Sequence, residues 1–77
     1  MVVHVKYFDS LPDRLGRAGD ELETVAGLTV ADVWAALHSA TPLPPNTLVA
    51  VNLEYAELTQ SVRDGDEVAF FPPVTGG

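Results

Sequence analysis

The sequence predicts an α+β domain in which a mixed sheet of four to five strands packs on one main helix, with a short second helix beside it. Three observations predict it. Val3, Val5 and Tyr7 alternate with His4 and Lys6, the period of two that a strand shows when one face is buried. Val30, Val33, Trp34 and Leu37 recur at i, i+3, i+4 and i+7 and so form one apolar helical stripe. The other apolar runs are short, β-branched or aromatic, and bounded by turn residues, so one helix and one sheet enclose one core. A chain of 77 residues with 47% apolar and 19% charged residues is globular, and at this size it buries about 60% of its unfolded surface.

In chain order, Val2 to Phe8 reads as the first strand. Within Asp9-Ser10-Leu11-Pro12-Asp13-Arg14-Leu15-Gly16, Asp9 or Ser10 can cap a short helix, Pro12 fits its first turn and Gly16 can end it. Leu11 and Leu15 are four apart and share one face. Asp20 to Val25 reads as a strand with Leu22 inward and Glu21 and Glu23 outward. Gly27-Leu28-Thr29 then opens the main helix, where Thr29 with Asp32 resembles a capping box, and Pro42, Pro44 and Pro45 forbid its continuation. Leu48 to Asn52 is a β-branched strand, and Asn52-Leu53-Glu54-Tyr55 turns the chain into a brief strand near Tyr55 to Leu58. Asp64-Gly65 is a turn signal that launches the strand Asp66 to Phe71. Pro72-Pro73 ends that strand, since proline cannot donate to a ladder. The expected core is Val3, Val5, Leu22, Val30, Val33, Trp34, Leu37, Val49, Val51, Val68 and Phe70.

The charge balance excludes several functions. Four Lys plus Arg face 11 Asp plus Glu, a formal net of −7. Nucleic acid and anionic membranes are therefore not expected ligands, because both are held by basic side chains. Residues 1–17 carry Lys6, Arg14 and Arg17 against Asp9 and Asp13, whereas residues 18–77 set Arg63 alone against nine acids. Such an acidic surface suits a basic protein partner and speeds encounter with it. There is no cysteine, which removes disulfides, thiolate metal sites and cysteine nucleophiles. No apolar run approaches the ~20 residues of a membrane helix. Met1 to Lys6 lacks the charged head and apolar stretch of a secretory signal, so the expected location is cytoplasmic. His4 and His38 lie on different elements and read as surface or interface histidines; no metal is expected.

One feature carries chemistry. Beyond the proline pair, Val74-Thr75-Gly76-Gly77 is an uncharged tail that, from Pro72, reaches roughly 20 Å at ~3.3 Å per residue. A tip without side chains enters channels too narrow for a Cβ, and it ends in an unhindered carboxylate. The run Asp64-Gly65-Asp66-Glu67-Val68-Ala69-Phe70-Phe71-Pro72-Pro73-Val74-Thr75-Gly76-Gly77 closely resembles the C-terminus of the small, sulfur-carrying subunits of molybdopterin synthase, the MoaD/ThiS-like family. Weaker agreement covers Tyr7-Phe8, Leu11 to Gly16, the helix opened by Thr29, and Val49-Ala50-Val51-Asn52. Departures lie at Pro12 and at Leu53-Glu54, where relatives often place a glycine.

The resemblance implies a ubiquitin-like β-grasp domain over residues 1–71 and an extended tail over 72–77. It implies that the Gly77 carboxylate is adenylated with ATP by an activating enzyme and converted to a thiocarboxylate by a sulfur donor protein. It also implies that the tail enters the large synthase subunit, within a heterotetramer, and delivers sulfur to cyclic pyranopterin monophosphate. Such a chain is a carrier and co-substrate more than an enzyme, with no permanently bound cofactor. Partner contacts are then expected at Phe71, Pro72, Pro73, Val74, Thr75 and Gly76. The alternatives are a carrier for thiamin thiazole or transfer-RNA thiolation, a ubiquitin-like modifier joined through Gly77 to lysines, and an interaction domain with a loose tail.

Overall fold

Seven elements follow one another in the computed structural model, which describes residues 1–72. They are β1 (Val2–Tyr7), α1 (Leu11–Leu15), β2 (Gly19–Glu23), α2 (Val30–Leu37), β3 (Leu48–Val51), β4 (Glu54–Ala56) and β5 (Glu67–Phe71). The sheet order is β2-β1-β5-β3-β4. β1 and β5 are parallel, with Val5 opposite Val68 and Tyr7 opposite Phe70, and all other pairs are antiparallel. One mixed sheet over one main helix is the β-grasp arrangement. The final strand, β5, therefore lies at the centre of the sheet and not at an edge.

α2 is set by its N-terminus. Thr29 Oγ1 accepts from Asp32 N–H at 3.2 Å, and Asp32 Oδ2 accepts from Thr29 N–H at 3.0 Å, the reciprocal box the sequence predicts. The first-turn N–H groups of Val30 and Ala31 donate to Gln60 O and Leu58 O, both at 3.0 Å. Residues 57–62 thus supply acceptors that a helix start needs from elsewhere, and they bury Val62 on the way. An eight-residue helix is marginal alone; the burial of Val30, Val33 and Trp34 holds it.

The expected core is found, with Leu22 and Leu37 partly buried at its margin. It also holds Tyr7, Leu11 and Val62. β1 stops at Tyr7, and Phe8 lies exposed. α1 carries no side-chain cap: Leu11 N–H donates to Phe8 O, and Pro12 has no N–H to satisfy. β2 runs Gly19–Glu23, shorter and earlier than Asp20 to Val25, and Val25 is exposed.

The β3–β4 connection corrects the expected strand at Tyr55 to Leu58. Val51 pairs with Glu54, so the loop is Asn52-Leu53 alone, and both have positive φ, 51° and 69°. This is the I′ pattern of tight hairpins, which starts β4 at Glu54. The Asn52 amide donates to Asp66 Oδ1, and its oxygen accepts from Glu67 N–H, so the first turn position is anchored to β5. Leu53 has no such anchor. Left-handed backbone costs a residue with a Cβ roughly 1–2 kcal/mol, and Leu53 is 90% exposed.

Candidate functional site

The site is built around the outer end of β5. Val68 and Phe70 point into the core at 0% exposure. Phe71 therefore faces the other side of the sheet, as strand alternation requires. There it stacks on Phe8, with centroids 4.8 Å apart and planes 12° from parallel. Phe8, Ala50, Leu53, Tyr55, Glu67, Ala69 and Phe71 line a groove of about 200 Å³ on this open face. Tyr55 is 81% exposed. Leu48, opposite Phe71 in the register, extends the patch. Lys6 Nζ lies 3.5 Å from Oε2 of Glu67, the acidic residue of the lining.

Of the expected partner-binding residues, Phe71 lines this apolar, outward-facing groove, and Pro72 follows it in sequence, both half-buried. Pro73, Val74, Thr75, Gly76 and Gly77 lie outside the described residues. The groove residues Phe8, Ala50, Leu53, Tyr55 and Ala69 are not among the partner contacts expected from the sequence. Their signal was available: Phe8, Leu48, Ala50, Ala69 and Phe71 are apolar residues on the outward phase of strands whose inward phase is already apolar.

Behind β5 a polar network closes the sheet against the helix. The Tyr7 hydroxyl donates to Asp20 Oδ2 at 2.7 Å and accepts from His38 Nε2–H at 2.7 Å. Arg17 Nε donates to the same Asp20 oxygen. His38, expected as a surface or interface histidine, is half-buried at the C-cap of α2 and stacks near Trp34 and Tyr7. Tyr7 packs on Phe70, so the network braces the strand that leads to the tail. Burial lowers the His38 pKa, Arg17 lowers it further, and Asp20 opposes them. Partial burial pushes Asp20 up, but the bonds from Tyr7 and Arg17 outweigh it and hold the carboxyl below its ordinary range. Burial, then the bond to Asp20, raises Tyr7 well above an ordinary phenol.

These directions fix a pH profile. A depressed histidine or carboxyl binds its proton more readily in the unfolded chain, so both contributions are lost as pH falls, first below about 6.5 and then below about 4. A raised phenol keeps its proton in the folded chain, so its contribution is lost as pH climbs above about 10. Thermal melts from pH 3 to 11 are expected to give a dome. Tyr7→Phe should flatten its alkaline limb, and His38→Gln the first part of the acid limb, which begins below the ordinary histidine value of about 6.5. Unchanged limbs in these variants would show that the network does not couple folding to protons.

Among the described residues, no helix is long and apolar enough to cross a membrane, and no three His, Asp or Glu gather as a metal site. The model of the ThiS family matches residues 5–77. The molybdopterin synthase sulfur carrier subunit of Haemophilus influenzae is 60% identical over 30 residues, 39% of this chain and 37% of that relative. The match therefore spans little more than a third of the curated relative. Among solved structures, SAMP1 from Haloferax volcanii superposes with a TM-score of 0.84 at 29% identity, covering 100% of both chains. A chain of the Amycolatopsis orientalis BexX/CysO complex superposes at 0.67 with 26% identity, covering 97% of this chain and 99% of that one. With the family match running across nearly the whole sequence, the chain belongs to the ThiS family.

Proposed function

We propose that this chain is a cytoplasmic sulfur carrier of molybdopterin synthesis, working through the carboxylate of Gly77 as its terminal residue. The observation that carries the reading is the position of β5: a central strand, paired on both sides, that brings Phe71 to an apolar groove, with Pro72 next in sequence. Residues 73–77 follow directly in sequence. A rigid body with an apolar docking face beside the root of a glycine-ended tail is suited to present a chain end to other proteins.

The chemistry needs little else from the chain. A carboxylate is a poor electrophile; an activating enzyme joins it to the α-phosphate of ATP, releasing pyrophosphate. Sulfur from a donor protein then displaces AMP, and the resulting thiocarboxylate sulfur is the better nucleophile. The large synthase subunit, docked on the groove, receives the tail and supplies the acid–base groups for transfer to cyclic pyranopterin monophosphate. The absence of cysteine leaves no side-chain thiol to carry the sulfur as a persulfide. The likeness to sulfur carrier subunits of molybdopterin synthase supports this acceptor. Likeness to SAMP1, the small archaeal modifier protein 1 of Haloferax volcanii, favours a second reading, in which the activated Gly77 is joined to lysines. Intact mass after incubation with ATP, an activating enzyme and a sulfur source separates them: sulfur for oxygen at Gly77 supports the carrier, and amide-linked products alone support the modifier.

Docking on the groove makes Phe71 an anchor. Phe71→Ala is expected to weaken large-subunit binding by more than ~1 kcal/mol, with the melting temperature little changed because its ring lies outside the core. An unaltered affinity by titration calorimetry would remove Phe71 from the interface.

A further inference from the structure

The geometry points to Leu53 as a specificity-determining contact of the docking face, which we infer receives a partner segment with an apolar side chain ringed by basic groups. The inference rests on the docking reading above and extends it to a residue outside the strand end and tail. Leu53 holds a backbone conformation, φ 69°, that suits glycine and penalises a side chain. Its side chain recovers nothing from the fold, being 90% exposed at the tip of the hairpin. Strain of this kind persists where something outside the local fold uses it. What Leu53 does is line the groove, together with Tyr55, Ala50, Phe8, Ala69 and Phe71. The patch is thereby continuous from the root of the tail to the hairpin tip.

The chemistry of the occupant follows from the lining and its surroundings. The groove is apolar apart from Glu67. Leu53 is followed by Glu54, and Glu57 stands just beyond β4, both exposed. Lys6 pairs with Glu67, and Arg63 lines the neighbouring hollow with Asn52, Glu54 and Asp66, so acids still outnumber bases around Leu53. A basic rim around an apolar knob would meet matching charge here, whereas an acidic one would be repelled.

The test separates strain from contact by opposite signs. Leu53→Gly relieves the backbone and removes the side chain. We expect its melting temperature to rise by a few degrees while its Kd for the purified large subunit of molybdopterin synthase increases about tenfold. Leu53→Met, which keeps an apolar tip, should stay within about twofold of wild type. Raising salt from 0.1 to 1 M shortens screening from ~10 to ~3 Å and should weaken wild-type binding. A Leu53→Gly variant that binds like wild type while Phe71→Ala is impaired overturns the role of Leu53 but leaves the docking face standing. If both variants bind like wild type, the docking reading falls as well. A lowered melting temperature for Leu53→Gly overturns the strain argument, and salt-independent affinity overturns the basic rim.

Discussion

Deleting Gly77, or adding residues after it, is expected to abolish sulfur loading while the protein still folds and still docks. In the proposed chemistry the one group the chain must supply is its terminal carboxylate. Deletion leaves Gly76 with an equally acidic carboxylate but withdraws it by ~3.3 Å along an extended tail. A misplacement of ~1 Å at a reacting group already costs on the order of 100-fold in rate, so a full residue takes the carboxylate out of reach of the activating site. Extension is more severe, since it turns the carboxylate into an amide. Among the described residues the last member of the core is Phe70, seven positions before Gly77 in sequence. Melting temperature and large-subunit affinity should therefore match the wild type. Intact mass with ATP, an activating enzyme and a sulfur source should show one oxygen replaced by sulfur in the wild type alone. Full loading of an extended chain that remains untrimmed would refute the proposal.

Much of the fold was legible because its signals are local. Thr29 and Asp32 form the predicted capping box, and the stripe Val30-Val33-Trp34-Leu37 faces the sheet as its spacing requires. β1 shows its alternation in the residues themselves, and β3 and β5 show as short β-branched or aromatic runs bounded by turn residues. What escaped depends on partners distant in sequence. Val62 is buried, and residues 57–62 are ordered, by bonds to the start of α2 some thirty residues earlier. β4 begins at Glu54 because Asn52, tied to Asp66 and Glu67, closes a two-residue turn that Leu53 would not choose. The docking groove was missed for a different reason. Alternation shows which residues share a face, but apolar residues on both phases, as in Ala69-Phe70-Phe71, do not reveal that the second face is left open. The tail was legible as chemistry only through its glycine pair and the resemblance of residues 64–77.

Phe70→Ala is expected to be the most damaging substitution in the folded body. Phe70 is fully buried on the central strand, paired with Tyr7 on one side and Val49 on the other. Its ring lies 5.1 Å from Trp34 and 6.2 Å from Tyr7, so it joins the helix to the network that braces β1 and β2. Truncating a buried phenylalanine costs about 3–5 kcal/mol. A 77-residue chain has roughly 4–12 kcal/mol in all by per-residue scaling, so the variant loses a large share of its stability and, at the lower end of that range, sits near or past its unfolding midpoint. The loss should also reach function, because Phe70 anchors the end of β5 that carries Phe71 into the groove. Phe70→Ala should thus lose folding and binding together, whereas Phe71→Ala, one residue on, should lose binding alone. Phe70→Leu, which refills most of the volume, should restore much of both. Urea titrations give the stabilities and calorimetry with the large subunit the affinities. A Phe70→Ala chain within ~1 kcal/mol of wild type would mean that the core closes around the lost ring, and that the aromatic contacts with Trp34 and Tyr7 do not hold the sheet to the helix.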